Sequence, residues 1–554
     1  MCSMAYQFAS LTAADGRQIV DPAAFRDALH RLLDLDAPRY RRLWAYYRNP
    51  MRCRPVGPED CGSARPYRQA QEWGLPSRIT GRHSGIEPFV AQPAEEVARK
   101  EVVIENDIAW RIDTMVDYLF GKPPVIECAG EAGPRKAIID RLLNAILEHN
   151  GGILLLQRLA LLGAVYGFVD VLVKLHDPRA LERGGGRAPE AAGAASAAGP
   201  ARHGAGAAAP EVSADTPPDD ARGPGASTPS PEAFVESLAR MIRLEVVEPA
   251  RALPVLRPDD CSVIDAYAQC WHVRRAPSSR TTAPRAISAS WWRRLLAPRP
   301  ADTAGDDSET VLVVEIISPA AWQRYENETL VAQGPNLLGR LPLVHIQNIA
   351  MPFHYAGASD VEPLIPLQDE LNTRLSDRAN RITLQSFKMY LGKGIENFTD
   401  MPVQPGRMWV TDNEKADVIE FGGDTGSAAE SLHIADIREA LDKTSGVSPV
   451  AAGAIKDRIG RLTSAAALRI TLISLLARTD RKRSTYGQGI RDMLAMSLDL
   501  LDRAGLFHTD PAQRRVEIHW PSPLPENLME KLQEAEAKTR LGVPREVVLR
   551  ELGY

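Results

Sequence analysis

The sequence predicts an α+β fold that is predominantly helical. Three observations carry this expectation. Apolar residues recur at three- and four-residue spacing over long stretches after residue 360. Runs of β-branched and aromatic residues cluster between about 169 and 346. Helical patterns precede those strands instead of alternating with them, which favours α+β over a doubly wound sheet.

Residues 1 to about 95 are rich in Arg, Pro and Tyr and only weakly periodic. The first helix is expected from Pro93 to Tyr118, on the stripe Val97, Val102, Ile104, Ile108, Ile112, Met115 and Leu119. Phe120-Gly121-Lys122-Pro123-Pro124 stops it, because proline cannot continue a helix. Further helices are expected over Pro134–His149, closed by Asn150-Gly151-Gly152, and over Leu154–Tyr166, leading into a strand Val169–Leu175. Residues 178–231 are Ala, Gly, Pro, Ser and Asp with almost no large apolar side chain, so they read as a disordered insertion. A second loose stretch, 276–307, holds Trp291-Trp292-Arg293-Arg294-Leu295-Leu296, read as a loop with a local hydrophobic anchor in preference to a docking or membrane-surface peptide. Strands are expected at Leu244–Val247, Val263–Tyr267, Val311–Ile317 and Leu343–Ile346.

From residue 361 the pattern turns helical. Leu364, Leu367, Leu371, Leu375, Ala379 and Ile382 form one stripe, predicting a helix Val361–Leu391 about 45 Å long. Asp369 and Glu370 fall on its charged face and read as solvated. Residues 392–425 carry two strand signals, Met408–Val410 and Val418–Phe421. A helix Ser427–Thr444, with Leu432, Ile434, Ile437 and Leu441, is ended by Gly446 and Pro449. After an Ala- and Gly-containing stretch, a long helix is expected over Ser464–Ala504, then a strand Arg515–Trp520 and helices Glu526–Leu541 and Pro544–Leu552.

Composition narrows the function classes. The 554-residue chain is 44% hydrophobic with a net charge of −5, so overall charge does not favour a polyanion. The six cysteines are scattered without a CxxC pair or a neighbouring histidine cluster, which reads as reduced thiols in a cytosolic protein with no metal site. No secretory signal is read at the N-terminus, and the longest apolar stretch, Gly151–Leu175, is broken by Gln157, Arg158, Asp170 and Lys174. The expectation is a soluble protein without membrane association.

No enzyme signature of weight occurs. Gly121-Lys122 and Gly392-Lys393 lack the glycine spacing and hydroxyl residue of a phosphate loop, and HExxH, GxSxG and GxGxxG are absent. No catalytic residue and no cofactor is therefore expected. One charge feature stands out: Lys456, Arg458, Arg461, Arg469, Arg478, Arg481, Lys482 and Arg483 face only Asp457 and Asp480, a local excess of six positive charges. On charge alone the run is a solvated loop and helix face; sequence-blind phosphate contact is the competing reading.

Four stretches, in order, resemble the portal (connector) proteins of tailed bacteriophages of the siphophage type. They are Asn106–Asp113 running through Tyr118 to Pro124, with its Gly-Lys-Pro turn; Gly339–Asn348, a G-x-x-P-hydrophobic-x-x-x-x-N segment; Pro366–Asn372 followed by Leu375-Ser376-Asp377; and Gly446–Pro449 followed by Leu462–Leu468. The last departs from the family, since Thr463-Ser464-Ala465 stands where Ser-Gly is usual. The resemblance covers roughly residues 95–550 outside the two insertions.

It implies a portal fold with wing, stem, clip and short crown. The wing would comprise residues 1–177 and 232–357, interrupted by the 178–231 insertion and the loose stretch 276–307. Residues 358–388 would be the first stem helix, 389–425 the clip, 426–446 the second stem helix and 447–463 the tunnel loop. A long wing helix, 464–505, and a C-terminal crown or wing segment, 506–554, would follow. Stem packing would fall to Leu364, Leu371, Leu375, Ile382, Leu432, Ile437 and Leu441, and Lys456, Arg458 and Arg461 would face DNA in the tunnel loop. The implied role is non-enzymatic: a twelve-subunit ring at a capsid vertex, assembled in the host cytoplasm, conducting double-stranded DNA without sequence preference during packaging and ejection. Implied partners are the terminase large subunit, a head-completion (adaptor) protein and the major capsid or scaffold protein. The competing readings are a minor capsid or scaffold-interaction protein and, less favoured, a DNA-processing enzyme.

Overall fold

The computed structural model describes residues 20–53, 67–80, 101–130, 132–176, 231–257, 259–275, 309–327, 329–386, 389–393, 415–421, 428–452, 469–524 and 528–551. It opens with two helices, α1 (Pro22–Arg31) and α2 (Ala37–Arg48), joined by a π-helical turn. Their inward face is largely aromatic: Tyr40, Leu43, Tyr46 and Tyr47 are buried, and Tyr40 meets Tyr166 edge-on at 5.6 Å. A short hairpin follows, β1 (Met51–Cys53) with β2 (Tyr67–Gln69), and a one-turn helix, α3 (Ser77–Thr80).

The helix expected from Pro93 begins only at Asp107, as α4 (Asp107–Phe120). Asn106 caps it by accepting a hydrogen bond from the Ala109 amide, and residues 101–106 before it are neither helix nor strand. After β3 (Val125–Cys128), α5 (Pro134–His149) and α6 (Ile153–Tyr166) fall where the sequence places them. Gly167 ends α6 with φ of +94°, a backbone angle suited to glycine, and β4 (Phe168–Leu175) follows.

Beyond the segment 177–230 come α7 (Pro231–Met241) and β5 (Ile242–Val247), which pairs antiparallel with β4. The expected disordered insertion lies outside the described residues. The insertion together with α7 connects two paired strands, Leu175 being in register with Ile242. Next come β6 (Ala252–Arg257), β7 (Asp260–Arg275), β8 (Glu309–Ile317), β9 (Ala321–Glu326) and β10 (Thr329–Pro335), one antiparallel sheet in the order β10-β9-β8-β7-β6. Arg275 pairs with Glu309, so the loose stretch 276–307, also outside the described residues, leaves from the tip of a hairpin. β11 (Leu343–Gln347) completes a second sheet, β11-β4-β5.

The helix expected over Val361–Leu391 is shorter. A 3-10 turn precedes α8 (Ile365–Ser386), 22 residues or about 33 Å, and the chain then pairs as β12 (Met389–Lys393) with β13 (Asp417–Phe421). Backbone pairing with β13 is what overrides the helical spacing there. The expected strand at Met408–Val410 lies outside the described residues. α9 (Ala428–Ser445) runs back, and after Gly446 (φ +71°) a 3-10 turn covers Pro449–Ala452. The long helix is α10 (Ile473–Arg503), 31 residues or about 46 Å. β14 (Val516–His519) pairs with β3, and α11 (Leu528–Arg540) and α12 (Arg545–Glu551) pack on each other. The mixed helix and sheet content is that of an α+β protein.

Three large cores and two small clusters organise the described elements. α10 runs through the largest, its residues Tyr486, Ile490, Met493, Leu494, Leu498 and Leu501 packed among α5, α6, β4 and β11. Two small residues permit this. A Cβ on Gly163 of α6 would lie 1.9 Å from the Tyr486 hydroxyl, and one on Gly489 would lie 2.4 Å from Ile346. A second core joins α2, α4, α6, α8 and α9; a third packs α1 on the five-stranded sheet.

Candidate functional site

α8 and α9 form an antiparallel pair capped by the β12–β13 ladder. Arg381 near the end of α8 pairs with Glu430 at the start of α9, and Leu364, Leu371, Ile434, Ile437 and Leu441 are buried in the core these helices share with α2, α4 and α6. Leu375 is half-buried. Ile382 and Leu432 are 38% and 66% exposed within the chain. The inward stripe of α9 is 434, 437, 441 and 445, and Leu432 lies off it. Lys456, Arg458 and Arg461 lie outside the described residues.

One side of α8 carries a feature that apolar periodicity does not reveal. Gln368, Asn372, Ser376 and Asn380 recur every four residues and bind the segment 101–105 as a neighbouring strand would. Asn380 Oδ1, Ser376 Oγ and Asn372 Oδ1 accept the amides of Glu101, Val103 and Glu105, each at 3.0 Å. In return Asn380 Nδ2, Ser376 Oγ and Gln368 Nε2 donate to the carbonyls of Glu101, Val103 and Glu105. Five backbone groups that a helix cannot pair through its own main chain are thereby satisfied, and the Val103 carbonyl shares the Ser376 hydroxyl proton with the nearer Asn372 carbonyl. Asp369, expected in solvent, is half-buried and accepts a 2.8 Å bond from the Tyr46 hydroxyl; burial pushes its carboxyl up.

The ends of α9 and α10 meet α8 and α4 in a buried charged joint. Asp360, fully buried just before α8, accepts bonds from Lys482 Nζ (2.5 Å), Arg478 Nη2 (2.7 Å) and Asn348 Nδ2 (2.8 Å). Burial alone would raise the Asp360 carboxyl, but Lys482, Arg478 and these hydrogen bonds outweigh it and hold it below its usual range. Burial lowers Lys482, assisted by Arg478 and opposed by Asp360. Arg478 Nη1 also donates to the Ser445 carbonyl at 2.7 Å. From the other side Arg111 of α4, 1% exposed, donates to Asp442 Oδ1 (2.6 Å), the Val447 carbonyl (2.7 Å) and Ser445 Oγ (3.2 Å). It also pairs with Asp107 and lies 4.4 Å from the Trp110 ring. Burial raises Asp442, against the pull of Arg111.

This joint divides the basic run. Arg478 and Lys482 are committed to Asp360, and Arg483 donates to the Pro521 carbonyl and packs over Trp520. Arg469 and Arg481 are exposed. The local excess of positive charge is therefore partly neutralised by a carboxylate 122 residues away from Lys482. Three stretches singled out in the sequence converge here: Asn348 closes the Gly339–Asn348 segment, Arg111 lies in the first, and Val447 in the last.

A second polar cluster centres on Asp170 of β4, fully buried, which accepts from the hydroxyls of Tyr267 and Tyr355, each at 2.8 Å, and lies 2.7 Å from His345 Nδ1. It resembles a histidine–carboxylate pair of a hydrolase, but His345 Nε2 is engaged by the Tyr355 carbonyl at 2.8 Å, leaving no ring nitrogen for a substrate. Tyr355 forms part of the wall of a groove of about 1040 Å³ between α1, β6 and residues 351–363. Among the described residues there is no cluster of potential metal ligands, and no helix is long and apolar enough to cross a membrane.

Comparison with known proteins bears on the half of the chain that holds these helices. No curated protein matches the sequence. Residues 303–553, from just before β8 to the end of α12, match the family model described as phage portal protein, SPP1 Gp6-like. The match includes the α8–α9 pair, Asp360 and α10, so this region of the chain is similar to phage portal proteins.

Proposed function

We propose that this chain forms the ring through which double-stranded DNA enters and leaves a phage head at one capsid vertex, acting as a structural conduit that catalyses nothing. Within it, residues 358–388 and 426–446 are the two stem helices, 389–425 the clip, 447–463 the tunnel loop, 464–505 the long wing helix, and 506–554 the crown or terminal wing segment. The observation that carries the reading is the chain order in the matched region: helix α8, a β-ladder at its tip, returning helix α9, then α10 running through the wing core. A closed ring needs a head-to-tail interface, and the exposed Ile382 and Leu432 on the stem pair are apolar groups such an interface would cover. The clip would dock the terminase large subunit and later the head-completion protein, and the wing would meet the capsid or scaffold protein.

Lys456, Arg458 and Arg461 supply the DNA contact in this reading. Scattered cations bind phosphate without reading sequence, and salt screening keeps that binding weak enough for DNA to move. Electron microscopy of the purified chain tests the ring, and particles lacking a central channel would refute it. Replacing the three cations with Ala should lower packaging while rings still assemble; undiminished packaging would remove them from the DNA path.

A further inference from the structure

We propose that Arg111 and Arg478 are two arms of one clasp on the C-terminal end of α9, with Asp360 as the group that locks it, so that α9, α10 and the wing helix α4 move as one body. The residues involved are few and continuous. Arg111, reaching from α4, holds Asp442, Ser445 and the Val447 carbonyl. Arg478, reaching from α10, holds the Ser445 carbonyl with one terminal nitrogen and Asp360 with the other. Lys482, one turn further along α10, holds the second oxygen of Asp360, which Asn348 shares.

The charges close on themselves. Arg111, Arg478 and Lys482 stand against Asp107, Asp442 and Asp360. Both arginines also sit where the last carbonyls of a helix concentrate negative potential, at the end of α9. A planar guanidinium suits this place because one group can span two acceptors in fixed directions, which an ammonium cannot do. Burial makes the arrangement cooperative. An arm that lets go leaves buried polar groups without partners, so partial opening is disfavoured and the joint is either closed or open as a unit.

The clasp holds the chain at Ser445 and Val447, where the segment assigned above to the tunnel loop begins, and again at Arg478 in the first turns of α10, beyond that segment. That assignment rests on the portal reading; the clasp itself is made only of described residues and is tested without DNA. The wing and the stem would then transmit rotation to each other through three side chains rather than through a flexible linker.

Hydrogen exchange on the purified, assembled protein tests this. Arg478→Met should speed exchange in residues 442–452 by roughly 100-fold, the scale set by breaking a buried charge pair, and the loss of protection should spread to 107–111 on the far arm. Arg478→Lys, which keeps the charge but not the fork, should reproduce most of the effect. A double cycle with Arg111→Met should show the second substitution adding little once the first has opened the clasp. Protection at 107–111 unchanged in Arg478→Met, or Arg478→Lys behaving as wild type, would overturn the proposal. If Arg111→Met does not fold, the two Arg478 variants decide the matter alone. Failure of the portal reading shows separately, as absence of rings in micrographs of the unsubstituted protein.

Discussion

Asp360→Asn is the most informative single change in this chain. The substitution keeps the shape of the side chain and removes one negative charge from the centre of the joint. Asparagine offers one acceptor oxygen and one NH2 group, so either Lys482 or Arg478 must face a donor instead of an acceptor. Lys482 is 3% exposed and has no room to reach solvent. Breaking a buried pair by removing one partner costs about 3–5 kcal/mol, because a desolvated charge is left uncompensated. Removing both charges should recover much of that cost, so Asp360→Asn combined with Lys482→Met should be more stable than Asp360→Asn alone. Thermal unfolding of the assembled protein, with the variants compared at equal concentration, measures the difference. The pH dependence has a definite sign. The Asp360 carboxyl is held below its usual range, so its contribution is present above the unfolded-state value near 4 and is lost as pH falls through the lower folded value. The gap between wild type and Asp360→Asn should therefore be widest at neutral pH and shrink on acidification below about pH 4. A gap at neutral pH below about 1 kcal/mol, within the range of an exposed pair, would refute the reasoning.

Asn372→Ala should cost about 1–3 kcal/mol, since it strands the Glu105 amide and the Gln71 carboxamide in a buried place, and exchange of the 101–105 amides should rise. An unchanged exchange rate there would mean that the polar ladder on α8 does not hold this segment. Deleting residues 182–226 should leave the melting temperature nearly unchanged, because the flanking strands are already paired at Leu175 and Ile242 and loop length enters closure entropy only logarithmically. A large loss of stability would show that the deleted residues pack on the wing.

Legibility in the sequence followed the kind of signal each element carries. α5 coincides with its expected bounds because Pro134 opens it and Asn150-Gly151-Gly152 closes it. α2 is hard to read because Tyr40, Tyr46 and Tyr47 supply much of its buried face among many arginines, and that mixture reads as polar; α1 is short and buries Phe25 and Leu29. The expected helix overruns α8 because Met389–Lys393 continues an apolar run that only its pairing with Asp417–Phe421 turns into a strand. The expected start of α4 is too early because Val102 and Ile104 fit a helical stripe, yet the backbone of the residues between and beside them, Glu101, Val103 and Glu105, is bound by the side chains of α8. The joint was illegible for a different reason. A charged residue in a sequence reads as solvated, and nothing local to Lys482 announces a carboxylate at Asp360.

That blindness bears on how the basic run is understood. Eight cations in twenty-eight residues invite the reading of one continuous polyanion surface. The structure splits them by their partners. Arg478 and Lys482 are bound to Asp360, and Arg483 to a backbone carbonyl, so they are not free to exchange partners with a passing phosphate. A group held by two buried bonds cannot swing, and a charge already compensated attracts a polyanion weakly. Any DNA contact in this region must then fall to the cations outside the joint, Lys456, Arg458 and Arg461 together with Arg469 and Arg481. The run is therefore divided by partners and not by position: in the portal reading the cations outside the joint would stay labile for DNA to move, while Arg478 and Lys482 stay fixed on Asp360.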